Sequence, residues 1–399
     1  MDTNSKHIRA AIIVLLVTGL ACSFSSSSTP SINTTIEPTS SLIPGVSTPS
    51  MPLGKIVFSA TSLSTSNTPS SSSSSRVYSM NPDGSELIQL TLDDEVVFSF
   101  AVSPINNDIA ILSYSPSGFQ GITILDTTGG RVNISDEGTT EFVWSSNGDQ
   151  LAFVCGTNNM RDICRINSDG TESVNLTNSP DWDDSDPQWS PDGNRIAYVS
   201  QYIPPNSVVY KDSYGTQLLM MDSDGANAQL FINLPQTVYY GNINMKVNSH
   251  SPDWAPDGQH IVFISNLRGE NQIYVIDALN PNTNPYINLT EQSNYRMDYL
   301  SQPFWSPDGK YILFSAYAIN PGRDSIYVVS ADGSTLTKVT EDSNITPPPP
   351  QWSPDGQWIG FLAYTTSGLR GLFIIRPNGN DLRLIKVFPD KDIQQFSWK

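Results

Sequence analysis

One phrase recurs along this chain and limits what it can fold into. It appears as QWSPDGNRIAYVS from Gln188, DWAPDGQHIVFIS from Asp253, FWSPDGKYILFSA from Phe304 and QWSPDGQWIGFLA from Gln351. Trp144, Trp189, Trp254, Trp305, Trp352 and Trp398 mark successive copies, 45 to 65 residues apart. A self-similar period of this length means that one supersecondary unit is stacked or arranged radially. Each unit reads as a Trp-bearing strand, a Ser-Pro-Asp-Gly turn, an apolar strand such as RIAYVS, a third strand such as QIYVID or SIYVVS, an Asp-Gly turn and a short last strand. That is a four-stranded antiparallel blade.

The recurring turn has a physical role. Proline presets φ, the aspartate accepts hydrogen bonds from nearby backbone, and glycine supplies the positive φ of a tight turn. The tryptophan before it is a broad side chain for packing against a neighbouring blade. We therefore read Asp192, Asp257, Asp308 and Asp355 as architectural, not catalytic. Units fall at Lys55–Thr91, Val97–Ser135, Glu141–Thr177, Pro187–Asn233, Pro252–Thr290, Pro303–Thr340 and Pro350–Val387. The first has three strands, and the tail IQQFSWK, Ile393 to Lys399, is a first strand with nothing after it. The expected fold is all-β: a seven-bladed β-propeller whose C-terminal strand completes the first blade and so protects its edges. Six or eight blades are the alternative if decayed units such as FAVSPINNDIAILSY are misassigned.

The pattern WSPDG, a β-rich run, IYV, ADG and LT resembles the TolB-like, WD-repeat-like propeller repeat over about Gly54 to Lys399. The same repeat occurs in the propellers of prolyl-oligopeptidase-type enzymes and of oligogalacturonate lyases. The resemblance implies the fold; function separates from fold readily in propellers. A prolyl-oligopeptidase activity would need a hydrolase domain with a Gly-x-Ser-x-Gly elbow, which is not expected here. The lyases hold a metal through clustered histidines. This chain has only His7, His250 and His260, with His250 expected ahead of the first strand of blade five and His260 in its second strand, so such a site is not expected.

The N-terminus carries Lys6 and Arg9 before a short apolar stretch, Ala10 to Val17, as in a signal peptide. Gly19-Leu20-Ala21-Cys22 resembles a bacterial lipobox, which makes Cys22 the lipidation site; cleavage by the general signal peptidase after Ala21 is the alternative. The Ser/Thr/Pro-rich stretch that follows has too little apolar surface to offset ordering and reads as a tether. The expected organisation is a lipoprotein-type signal peptide over 1–21, a tether over 22–53 and the propeller over 54–399. The expected location is the cell envelope, with the protein anchored to a membrane at the outer face of the cytoplasmic membrane or in the periplasm.

Lys plus Arg number 21 against 39 Asp plus Glu, a formal net charge of −18, which repels phosphate backbones, so no nucleic acid is expected as partner. Asp181, Asp183, Asp184 and Asp186 crowd the link entering blade four. A solvated acidic loop is the first reading, and a Ca²⁺ site the alternative; no other cofactor is expected. Cys155 and Cys164, on neighbouring strands of blade three, are read as a disulfide, with two buried thiols or a redox pair as alternatives.

Blade topology assigns the first and third turns to one face and the second turn and inter-blade link to the other. The second face receives the long insertions and their aromatics, Trp182, Tyr202, Tyr210, Tyr214, Tyr239, Tyr240, Tyr295 and Tyr299, the candidate binding residues. The expected function is a noncatalytic, monomeric binding or scaffold module for a protein, peptide or glycan. The alternative is a polysaccharide- or peptide-cleaving enzyme with an acidic, Ca²⁺-assisted site at the channel mouth.

Overall fold

The structure is a computed structural model that describes residues 53–62, 75–114, 120–126, 130–134, 139, 141–157, 160–203, 215–231, 237–240, 243–280, 286–291, 297–298, 300–318, 323–340 and 345–399. All of these lie in the unit Ser50–Lys399. Cys22, the signal peptide and nearly all of the tether lie outside them. The described elements are all strands, and no described helix is long and apolar enough to cross a membrane.

Seven antiparallel sheets form the blades of a β-propeller. Blade 4 shows the pattern: Trp182–Trp189, Arg195–Tyr202, Thr216–Asp222 and Gln229–Leu230 pair in that order from the axis outward. Most blades end in outer strands of two or three residues, and those of blades 1 and 3, Ile88–Gln89 and Val174–Asn175, are exposed. Short edges leave little template for pairing with another chain. Blade 1 is closed as expected: Lys391–Trp398 pairs with Ile56–Ser62, in register Ile56↔Trp398 to Ser62↔Lys391 with one bulge.

The apolar strands are buried on both faces because a blade packs on either side of them, which is why they read as nearly continuous hydrophobic runs. Ile261, Val262, Phe263 and Ile264 are all wholly buried. The core accordingly lies between blades. Seven clusters of buried residues among the described ones each bridge two adjacent blades, for example Trp254 and Phe263 of blade 5 against Val199 and Leu218 of blade 4.

The Ser-Pro-Asp-Gly turns behave as architecture. Asp192, Asp308 and Asp355 each accept a hydrogen bond from the serine two residues before, at 2.5, 2.7 and 2.6 Å, and from the backbone N–H two residues after, at 3.1 Å each. Gly193 and Gly309 both take φ of 71°, which a Cβ would strain.

Three first strands start earlier than the sequence suggests, at Trp182, Ser249 and Ile345, before their prolines. Proline was expected to open the strand, but here it sits inside, where the register shifts between Ser185 and Gln188, His250 and Asp253, and Thr346 and Gln351. A proline is tolerated at a bulge on an axis-side strand because no further strand needs its N–H. Two positions change accordingly. His250 lies within the strand Ser249–Trp254, while His260 opens the second strand as expected. The acidic string is mostly strand, not link. The insertion before blade 5 also contains a hairpin, Thr237–Tyr240 with Ile243–Lys246.

Candidate functional site: the axial channel and the long-loop face

The axis-side strands line a channel, and their repeat gives its lining. Counting back from each tryptophan, the residue one before and the residue three before share a face, because side chains alternate along a strand. The third-before set includes Glu141, Asp186, Ser251 and Gln302, and these border one cavity of about 230 Å³ with Ser99, the corresponding residue of blade 2. Among the residues one before, Val143, Gln188, Phe304, Gln351 and Ser397 border a second cavity, of about 370 Å³. A third, about 470 Å³, opens among the Ser-Pro-Asp-Gly turns and includes Asp253 and Lys399.

The first cavity holds an acid pair. The Asp186 backbone N–H donates to Glu141 Oε2 at 3.0 Å. This bond brings Glu141 against the Asp186 backbone, and both side chains border the cavity. Burial pushes both upward from the ordinary carboxylate range, because the charged forms lose water. Asp186 and Ser251 hold positive φ, 52° and 53°, at equivalent bulged positions facing this space. Beside the pair, Arg161 grips Asp183 with two parallel bonds, Nε to Oδ1 at 2.8 Å and Nη2 to Oδ2 at 2.9 Å. That bond to Asp183 raises the guanidinium further. His250, next to Ser251, is depressed by burial.

Nearer the turn face, burial pushes Asp253 up to about 7 even though its Oδ2 accepts the Trp305 N–H at 2.9 Å. Lys399 faces it and partly offsets the shift, while its own ammonium is depressed by burial.

The four aspartates proposed for Ca²⁺ do not converge. Asp183 pairs with Arg161, and Asp184 accepts the Ser200 hydroxyl at 2.5 Å. Asp186 joins Glu141, and Asp181 sits on the turn ahead of the strand. Alternation along an extended strand separates neighbours to opposite faces. Among the described residues no group of three or more acidic, His or Cys side chains is arranged to hold a metal ion. Burial pushes Asp184 up to about 6, against the Ser200 bond.

Of the aromatic set, Trp182 and Tyr202 are cross-strand partners at the long-loop end of blade 4, ring centroids 5.1 Å apart. Tyr239 and Tyr240 lie on the inserted hairpin, and only their backbone is described. Tyr210, Tyr214, Tyr295 and Tyr299 lie outside the described residues. Cys155 and Cys164 form the disulfide, with Cα atoms 5.8 Å apart. It ties the hairpin of blade 3 whose tip presents Arg161. Glu141 and Arg161 were missed by sequence reasoning. Aligning the residues three before each tryptophan would have exposed Glu141 and Asp186 together; nothing local marks Arg161.

Residues 202–396 match the TolB beta propeller domain family. A TolB homolog from Chlorobium luteolum is 33% identical over 126 residues, 31% of this chain and 28% of its own length. An uncharacterized peptidase from Bacillus subtilis, YuxL, is 28% identical over 130 residues, 32% of this chain and 16% of its own length. The chain thus spans under a third of these curated relatives. Among solved structures, an oligogalacturonate lyase from Vibrio parahaemolyticus aligns with a TM-score of 0.57 at 10% identity, over 83% of this chain and 85% of that one, a likeness of fold.

Proposed function

Since the described domain is a TolB-like β-propeller, we propose that it serves as a binding or scaffold module for a protein partner, engaged on the long-loop face around the channel mouth. The observation that carries this reading is the Trp182–Tyr202 pair, two part-exposed rings at the long-loop end of blade 4, Trp182 opening the axis-side strand that carries Asp186 of the acidic channel wall and Tyr202 ending the strand beside it. Aromatic rings on a rigid scaffold bury large areas at small entropic cost, which is why they anchor interfaces. Capture experiments with the chain as bait test it. Trp182→Ala with Tyr202→Ala should abolish capture of the partner recovered by the wild type. Asn194→Ala with Lys310→Ala, on the turn face, should leave capture unchanged, and the reverse pattern places the working face on the other side.

The signal sequence, Cys22 and the tether support an exported chain held in the cell envelope by lipid. Cys22→Ser should then shift the protein from the membrane to the soluble fraction of detergent-free lysates; equal fractionation removes the anchor. A second reading is favoured by the Glu141–Asp186 pair. Two neighbouring carboxyls that burial pushes upward are the kind of pair that acid–base catalysis uses, as in aspartic proteases. Peptide turnover abolished by Asp186→Asn would establish it, and its absence across a peptide library leaves the binding reading.

A further inference from the structure

Three carboxyl groups and one guanidinium meet where blade 3 joins blade 4: Glu141, Asp183, Asp186 and Arg161. Arg161 is committed to Asp183 by both of its parallel bonds. The remaining carboxyls, Glu141 and Asp186, border the 230 Å³ cavity, and no lysine or arginine is among the residues that line it. Gln188, Gln302 and Ser99 supply polar walls. The space holds several waters at about 30 Å³ each, enough for the end of a long side chain.

A separate observation points to the same junction. The indole N–H of Trp144 donates to Ala101 O at 3.1 Å, and those of Trp254, Trp305 and Trp352 donate to Gln188 O, Asp253 O and Phe304 O at 3.2 Å each. In each case the acceptor precedes the corresponding residue of the previous blade. Trp189 breaks the series. It is 7% exposed, its N–H has no acceptor among the described residues, and it lines the adjoining cavity, which shares Val143, Gln188 and Gln302 with the first. Three carboxyls around a single guanidinium that is bonded to one of them, beside a buried indole donor, describe a ligand with a positive group and a carbonyl close together.

We propose that the channel at the blade 3–blade 4 junction is a recognition pocket for a basic side chain, a lysine or arginine presented by a peptide segment of the partner. The cation sits against the Glu141 and Asp186 carboxyl groups, and the adjacent peptide carbonyl accepts the Trp189 N–H. This rests on the binding reading above and names what that surface recognises. A divalent cation is the weaker occupant, because the described residues gather no third Asp, Glu, His or Cys side chain with the pair.

Titration calorimetry of the full chain with Ac-Gly-Lys-Gly-NH2, Ac-Gly-Arg-Gly-NH2 and Ac-Gly-Gln-Gly-NH2 tests this without the natural partner. The basic peptides should bind about tenfold or more tighter than the glutamine peptide. Their affinity should also increase with rising pH, as the two carboxyls, pushed upward by burial, lose their protons. Glu141→Gln with Asp186→Asn should remove both effects, and Glu141→Gln alone, which keeps a hydrogen-bonding amide, should weaken binding if the double variant misfolds. Trp189→Phe should weaken the basic peptides several-fold yet leave propylammonium unaffected. Equal binding of the glutamine peptide, or undiminished binding by folded acid variants, overturns the proposal, as does Ca²⁺ binding that excludes the peptides and needs the same two residues. A captured partner indifferent to the acid variants overturns this inference alone; loss of capture only in the Trp182 and Tyr202 variants leaves the binding reading standing.

Discussion

Blade 1 and the junction of blades 3 and 4 are two places where the ring could part, and they are held in different ways. Blade 1 joins the two ends of the domain through backbone: a seven-residue register between Ile56–Ser62 and Lys391–Trp398, with Ile393, Phe396 and Trp398 buried. Gln395 extends the closure to blade 2, its amide both accepting from Phe100 N at 3.2 Å and donating to Phe100 O at 3.0 Å. At the other junction the first strand of blade 3 is only Phe142–Trp144, and the indole bond is missing. The Arg161–Asp183 ion pair takes over there, with the Asp186 N–H donating to Glu141. The difference teaches that a propeller can close on hydrogen-bonded backbone where its chain ends meet, and keep a polar, ligand-accessible seam elsewhere in the ring.

Deleting Ile393–Lys399 attacks the first closure and should have the largest effect. Truncating one buried Trp or Phe costs about 3–5 kcal/mol, and the deletion removes Trp398, Phe396 and a strand together. Loss of cooperative thermal unfolding is the expected outcome by calorimetry. A variant that melts at the wild-type temperature would show that the C-terminal strand is not the closure.

Arg161→Gln attacks the second. Asp183 has a side chain only 1% exposed, so removing its partner strands a buried carboxylate. The cost should be about 3 kcal/mol in urea unfolding at pH 7. A loss under about 0.5 kcal/mol, the scale of surface changes, would mean the seam is not held by charge.

Reducing the disulfide should cost somewhat less. The sequence separation of Cys155 and Cys164 is 9, and closing so short a loop constrains the unfolded chain by about 2–3 kcal/mol. Unfolding curves of Cys155→Ser with Cys164→Ser against wild type check this. Because the hairpin also presents Arg161, combining this pair with Arg161→Gln should cost less than the sum of the two, whereas strict additivity would separate hairpin from seam.

The two closures also differ in how far they could be read from sequence. The blade count and the completing strand follow from a period and a leftover Trp-bearing segment, features carried by many residues in register. The acid pair depends on two residues 45 positions apart, Glu141 and Asp186, which become neighbours only when strands of adjacent blades meet at the axis. Asp183 and Asp186 looked like one cluster because they are close in sequence, and the pleat sends them to different partners. The early strand starts were hidden because proline is read as a breaker, and the bulges that accommodate Pro187 and Pro252 have no local signature beyond proline itself. Trp182 and Tyr202 were legible as face residues, and their tilted ring contact across one strand pair was not.

The smallest effect should come from the channel acid furthest from the seam. Asp253 is held up to about 7 by burial, against an unfolded value near 3.9. Between those values the folded chain keeps a proton that the unfolded chain has released, so stability falls as pH rises from about 4 to 7 and stays lower above. Asp253→Asn removes that penalty while its amide oxygen can still accept the Trp305 N–H. Lys399, the cation facing Asp253, offsets part of the shift, and water in the channel screens more of it. The variant should therefore gain only roughly 1 kcal/mol at pH 8 and nothing at pH 4, with the difference from wild type opening between. Glu141, Asp184 and Asp186 titrate upward in both proteins and cancel in that difference. A constant offset across pH would assign the change to packing at the turn face, and a variant less stable at pH 8 would mean that Asp253 is ionised and bound by Lys399, making the turn face a second charged seam.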